Sequence, residues 1–281
     1  MRNTAKLFNV KVATAVLTAG ALSLGLTACG GSGDDKAASS DDPLVVAASP
    51  VPHAEILTFV KDNLAEKAGL DLEVKEFTDY VTPNTATEDG SVDANYFQNQ
   101  PYLDDFNKKN GTHIAPVVTV HLEPLGLYSH KIKSADDLKS GATIAVPNDT
   151  VNEARALKLL ADNGLIELKK GADSSATPAD IVKNPKKLQF KELEAAQTPR
   201  SLDDVDAAVV NGNYAIESDL QPAEDALVLE SAENNPYGNF LAVKEGSEDD
   251  PRVKKLAKLL TSPEVKKFIE DKYAGSVIAS F

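Results

Sequence analysis

The stretch Asp204-Val205-Asp206-Ala207-Ala208-Val209-Val210-Asn211 repeats in outline an earlier one, Ser91-Val92-Asp93-Ala94-Asn95-Tyr96. Each has an acid-containing turn, a run of small and apolar residues, and an asparagine that closes it. Short apolar runs bounded by turn residues read as buried strands. One such unit in each half of the chain predicts corresponding strands in two lobes. In open α/β sheets ligands lie beyond the carboxyl ends of the strands, so both asparagine-bearing ends are expected to face a shared cleft.

The flanking sequence supports an α/β class. Leu44 to Ala48 is an apolar run that stops at Ser49-Pro50-Val51-Pro52, and a helical pattern (Ile56, Phe59, Val60, Leu64) follows as far as Gly69. Leu70 to Phe77 alternates Leu72, Val74 and Phe77 with acids and reads as a second strand. Val92-Asp93-Ala94 reads as a third, leading into a helical Tyr102 to Phe106. The pattern restarts after Lys131: Thr143 to Val146 reads as a strand, and Thr150-Val151-Asn152-Glu153 as a capping box in which Thr150 and Glu153 satisfy each other's amides. That helix runs through Ala156, Leu157 and Leu160 to Gly164, a residue suited to a left-handed helix end. Two further helices open at Asp250-Pro251 and Ser262-Pro263, each an N-cap followed by proline at the first helical position. Strands alternating with helices predict a mostly parallel sheet.

The N-terminus carries a different message. Arg2, Lys6 and Lys11 form a positive flank, Val12 to Leu26 is almost wholly apolar or small, and the run ends on Leu26-Thr27-Ala28-Cys29. This is the layout of a signal peptide over residues 1–28, too short for a comfortable membrane span, ending at a lipobox. Cys29 is the only cysteine, so neither an intramolecular disulfide nor a thiolate metal site can use it. It is expected to carry the acyl anchor. Gly30 to Asp42 holds no large apolar residue and reads as a flexible tether. Without residues 1–28 the chain has 26 Lys+Arg against 43 Asp+Glu, a formal charge of −17, which argues against nucleic acid as a partner.

Phe77-Thr78-Asp79-Tyr80-Val81-Thr82-Pro83-Asn84, Asp93 to Gln98 with Pro101-Tyr102-Leu103, Val146-Pro147-Asn148-Asp149 and Pro199 to Asp204 occur in this order. In these motifs the chain resembles the NlpA/MetQ family of methionine-binding lipoproteins, from Leu44 to the C-terminus. The resemblance implies a two-lobed type II periplasmic-binding-protein fold with a ligand cleft between the lobes. It also implies delivery of L-methionine, or a related amino acid or small methionine-containing peptide, to an ABC permease and its ATPase. Residues 43–127 and 236–281 are expected to form lobe I and 128–235 lobe II, in a monomer anchored by lipid to the extracytoplasmic face of the cell membrane.

A zwitterion needs a cation for its carboxylate, acceptors for its ammonium and a fitted slot for its side chain. Arg155 lies three residues beyond Asn152, so both share a helix face that leans toward the helix N-terminus, and a guanidinium can grip a carboxylate by two bonds. On spacing alone a solvated arginine is as good a reading; the resemblance implies carboxylate binding. It likewise implies that Asn211 and Asn239 contact the ligand rather than merely forming turns. Tyr80, Phe97 and Tyr102, which spacing alone would place in a core, become the walls of a thioether slot. Asn99 stands where many family members carry His, and Gln100 also departs, which puts side-chain selectivity in question at a ligand-facing position.

His53, His113, His121 and His130 show no metal-ligand spacing and are expected in surface or capping roles, with no metal or other cofactor. No nucleophile elbow, phosphate loop or dinucleotide fingerprint is present, and no catalytic constellation stands out, so no enzyme is expected. Three classes stay open: an importer's binding protein, a lipid-anchored sensor or adhesin of the same fold, and a lipid-anchored enzyme.

Overall fold

The computed structural model describes residues 42–172 and 174–281. The expected signal peptide, Cys29 and all but the last residue of the tether lie outside the described residues. Thirteen strands follow in chain order among them: β1 (Leu44–Ala48), β2 (Leu72–Glu76), β3 (Ala94–Asn99), β4 (Ile114–Leu122), β5 (Gly126–Tyr128), β6 (Thr143–Pro147), β7 (Glu167–Leu168), β8 (Ile181–Lys183), β9 (Gln189–Leu193), β10 (Ala207–Val210), β11 (Val228–Leu229), β12 (Asn239–Lys244) and β13 (Ile278–Ala279). They build one sheet in the order β13-β4-β12-β3-β1-β2 and a second in the order β11-β5-β10-β6-β9, with β7-β8 a small separate pair. The chain passes from the first sheet to the second at residues 123–125 and returns at 230–238, so each sheet is the floor of one lobe. β5 lies wholly in the second sheet.

The expectation of a mostly parallel sheet holds for three strands in each lobe. β1 is parallel to β2 and β3, and β6 is parallel to β9 and β10. These are joined by helical crossovers, as parallel neighbours must be. The remaining neighbours are antiparallel: β12 arrives on the return crossing and slots between β3 and β4, β13 pairs with β4, and β5 pairs with β10 and β11. Two apolar cores form. The first packs Leu44, Val46, Ile56, Leu57, Val60, Leu256 and Ile269 together, and the second packs Leu127, Ile144, Val146, Leu157, Leu160 and Val209.

The two look-alike segments do the same job. The Asp93 amide donates to Val45 O at 2.9 Å and its carboxylate accepts from Val45 N at 2.8 Å. The Asp206 amide donates to Thr143 O at 3.0 Å and its carboxylate accepts from Thr143 N at 2.8 Å. Each aspartate therefore locks the start of a parallel strand pair.

Two local expectations are corrected. β3 begins at Ala94 and runs through Tyr96 to Asn99, further than the polar Asn95 suggested. Asn95 is fully buried and donates to Asn84 Oδ1 at 3.1 Å and Thr87 Oγ1 at 2.8 Å, so its amide can sit inside a strand. The strand-end counterpart of Asn211 is thus Asn99. The N-cap of the helix Thr150–Asp162 is Asp149, not Thr150: its carboxylate accepts from Asn152 N at 2.9 Å. Thr150 is already helical, and its hydroxyl accepts from Lys109 Nζ of the other lobe at 2.5 Å. Gly164 ends this helix at φ +72°, and Asp250 and Ser262 cap the last two helices as expected. Among the described residues no helix is long and apolar enough to cross a membrane.

Candidate functional site

The first lobe contributes rings. Phe97 lies near the end of β3, Tyr102 in the first turn of the helix Gln100–Asn110, and Tyr80 just before the helix Thr82–Glu88. Their centroids form a triangle with sides of 5.8 Å (Tyr80–Tyr102), 6.0 Å (Tyr80–Phe97) and 6.1 Å (Phe97–Tyr102), within the range of favourable ring contacts. The Tyr102 hydroxyl donates to Tyr80 O at 2.9 Å. Asn99 caps the helix by accepting from Tyr102 N at 3.2 Å, which fixes its amide at the slot. Gln100 is exposed and donates to Asp104 at 2.7 Å.

The second lobe contributes amides and charge. Asn152 donates through Nδ2 to Asp149 and accepts from Asn211 Nδ2 at 2.9 Å. This chain fixes the Asn211 amide with its Nδ2 engaged, leaving its Oδ1 buried without a partner. Asn213, on the first turn of the helix Gly212–Glu217, accepts from the Tyr80 hydroxyl at 2.5 Å and has its Nδ2 buried without a partner. Buried polar atoms are normally paired, and an unpaired one costs about 1–3 kcal/mol. The acceptor on Asn211 and the donor on Asn213, both residues of the cleft lining, can serve a ligand bearing both kinds of group.

Arg155 is buried, and its donors are largely spoken for. Nε and Nη2 grip Glu230 at 2.8 and 2.5 Å, and Nη2 also donates to Glu123 O at 3.0 Å. The Tyr237 ring covers the guanidinium at 4.1 Å. Burial would raise the Glu230 carboxyl, but Arg155 holds it below the usual glutamate range. The two-bond edge expected to grip a ligand carboxylate is thus occupied by Glu230, and Nη1 is the nitrogen without a protein partner. The reason is topological. Glu123 and Glu230 belong to the two crossings, and Arg155 ties both crossings to the second lobe.

Beneath the cleft lies a polar network within hydrocarbon. His121 Nε2 is 2.7 Å from Glu123 Oε1, and His53 Nε2 is 3.1 Å from that oxygen and from Asn239 Oδ1. Tyr96 OH bonds His121 Nδ1. Burial lowers His53 to about 4 and His121 to about 3, so both rings are neutral at pH 7. The same burial pushes the Glu123 carboxyl up, against the opposing pull of His53, Arg155 and the Asn213 amide. The expectation of surface or capping histidines therefore holds for His113 and His130, which are exposed, and fails for His53 and His121. Their ligand-type atoms and that of Glu123 lie within 4.8 Å of one another, an arrangement that residues 68 positions apart in sequence cannot signal by spacing.

Tyr80, Phe97, Asn99, Tyr102, Asn152, Arg155, Asn211 and Asn239 all line one cleft. Asn152 serves it by orienting Asn211. Sequence reasoning missed Gln98, Glu123, Gly212 and Asn213, which complete the lining. Asn213 could have been found two residues beyond Asn211, and Glu123 as an acid closing the apolar strand β4.

A two-sheet body with an enclosed polar and aromatic cleft at its strand ends is the architecture of a substrate-binding protein. The NlpA lipoprotein family model matches residues 44–281, and the chain belongs to that family. The methionine-binding lipoprotein MetQ of Bacillus subtilis (strain 168) is 43% identical over 257 residues, 90% of this chain and 93% of that one. A nutrient binding protein from Burkholderia cenocepacia, solved bound to methionine, superposes with a TM-score of 0.82 at 49% identity, covering 85% of this chain and 100% of that one. A periplasmic substrate-binding protein of an ABC transporter from Coxiella burnetii gives a TM-score of 0.81 at 44% identity, over 84% and 100%.

Proposed function

We propose that this protein is the substrate-binding lipoprotein of an ABC importer that captures L-methionine in the cleft and hands it to a membrane permease driven by an ATPase. The observation that carries the proposal is the pairing of the unpartnered Asn211 Oδ1 and Asn213 Nδ2 with a slot walled by three rings. The orphan acceptor suits an ammonium and the orphan donor, with Arg155 Nη1, suits a carboxylate. The Tyr80, Phe97 and Tyr102 walls suit a polarizable thioether, each ring contact being worth about 0.3–1.5 kcal/mol. Asn99 sets the polar edge of that slot. Asn239, tied to His53, closes its floor.

In this reading the two lobes close about residues 123–125 and 230–238, the protein acts as a monomer and catalyses nothing, and a lipid on Cys29 holds it at the extracytoplasmic face of the membrane. Two or more acyl chains are needed for stable anchoring, which the lipoprotein modification supplies. Cys29→Ser should abolish labelling by radioactive palmitate; continued labelling refutes the anchor. Isothermal titration of ligand-stripped mature protein against the twenty amino acids should give micromolar or tighter binding for L-methionine. Silence toward methionine refutes the specificity.

A further inference from the structure

Glu123 is a buried acid whose carboxyl oxygens touch no lysine or arginine and feel Arg155 only at a distance. It is 5% exposed, at the base of the cleft. The nearest guanidinium, Arg155, touches only its backbone carbonyl and spends its charge on Glu230. The groups that do hold the carboxylate are neutral: the imidazoles of His53 and His121 and the Asn213 amide. Burial pushes this carboxyl up, and a cation placed against its oxygens would favour the ionised form. The chain is also shaped to bring Glu123 close to the second lobe. A Cβ on Gly212 would come within 2.7 Å of Glu123 Cβ, so only glycine permits this approach at the foot of the Asn211–Asn213 pair.

We propose that Glu123 is the anion that receives the ligand's α-ammonium, and that His53 and His121 are positioning residues that aim it. This deepens the reading given under the proposed function and rests on it. The aim is set by a continuous chain. Tyr96 donates to His121 Nδ1, which leaves His121 Nε2–H for Glu123, while His53 Nε2–H is shared between Glu123 and Asn239. Oε1 is fixed by both rings, and the carboxylate cannot rotate away without orphaning the buried His121 N–H and leaving that of His53 to Asn239 alone.

The placement has a mechanical corollary. Glu123 is the first residue of the crossing between β4 and β5, and its carbonyl accepts from Arg155. Ammonium capture therefore falls on the segment about which the lobes move. A ligand lacking the amine would fill the ring slot and leave the hinge segment with an uncompensated charge.

The test compares L-methionine with 4-(methylthio)butanoate, its analogue without the amine, by titration calorimetry. Wild-type protein should prefer methionine by at least about 100-fold, since a site with buried polar groups rejects a ligand that leaves them unpaired. Glu123→Gln should weaken methionine at least about tenfold and leave the butanoate unchanged or tighter, so the preference collapses. His53→Leu should lower the same preference, and His53→Gln, which keeps an N–H for the carboxylate, should restore it; this pair leaves Glu123 intact if Glu123→Gln does not fold. If the amino-acid panel selects another residue, its own analogue without the amine replaces the butanoate. Binding of no amino acid overturns the functional reading and this inference with it. Binding with the amine preference intact in Glu123→Gln, or in His53→Leu, overturns this inference alone.

Discussion

The ends of β3 and β10 are built by the same device and furnished with opposite chemistry. Both strands start at an aspartate that clasps the neighbouring parallel strand, and both end at an asparagine that precedes a helix facing the cleft. In the first lobe that end presents Phe97 and Tyr102 with Tyr80. In the second it presents Asn211 and Asn213, backed by Asn152 and Arg155. On the proposed reading one lobe grips the ligand's side chain and the other its polar head, so recognition of the whole molecule would require both. A shared backbone plan fixes where the groups stand. The residues hung on it decide what each half reads.

The first lobe alone carries buried histidines, and this asymmetry gives the largest expected effect. His53 and His121 are neutral in the native protein, with values lowered from 6.5 to about 4 and about 3. The unfolded chain takes up protons at pH 6.5 and the native one does not. Their contribution to stability is therefore complete above pH 6.5 and is lost as the pH falls toward 4, on the order of 3 kcal/mol for His53 alone. Thermal melts across this window should show the loss, and hydrogen exchange should place the first opening in the sheet of β1 and β3. Opening of the second lobe first would break the comparison.

Next comes the second lobe's cation. Arg155→Ala should weaken methionine binding by at least about 2 kcal/mol, and a loss below tenfold would remove Arg155 from the site. The two clasps offer a direct contrast. Asp206→Ala should cost about 1 kcal/mol in chemical denaturation, the worth of an amide bond. Asp93→Ala should cost about 2, because Asp93 also pairs with the buried Arg252 at 3.0 Å. Equal losses would show that the aspartates are fully interchangeable. The smallest effect belongs to the rings: Phe97→Ala should weaken methionine by about 1 kcal/mol and narrow its advantage over alanine. An unchanged ratio would mean that the side chain lies elsewhere.

Much of this was legible in the chain itself. Asp93 and Asp206 with their apolar runs announced the paired strands, and the proline-led caps at Asp250 and Ser262 announced the last helices, because these signals are local. Asn95 misled because a buried amide network, visible only in three dimensions, lets a polar residue occupy a strand. Thr150 misled because Asp149 beside it is an equally good cap. Nothing local pairs residues 239–244 with residues 94–99, so the antiparallel insertion of β12 was out of reach. Glu123 and its two histidines escaped for the same reason: His53, His121 and Asn239 meet only after both crossings are made.

Arg252 donates to Pro43 O at 3.0 Å while holding Asp93 and Asp250. Pro43, just ahead of β1, is thereby fastened to the first lobe's sheet, through the very aspartate that clasps β1. A leash running from Cys29 would pull on that lobe alone. Under the proposed anchoring at Cys29, the moored half would keep its bearing toward the membrane, and the half carrying Arg155 and Asn211 would be the one left free to swing.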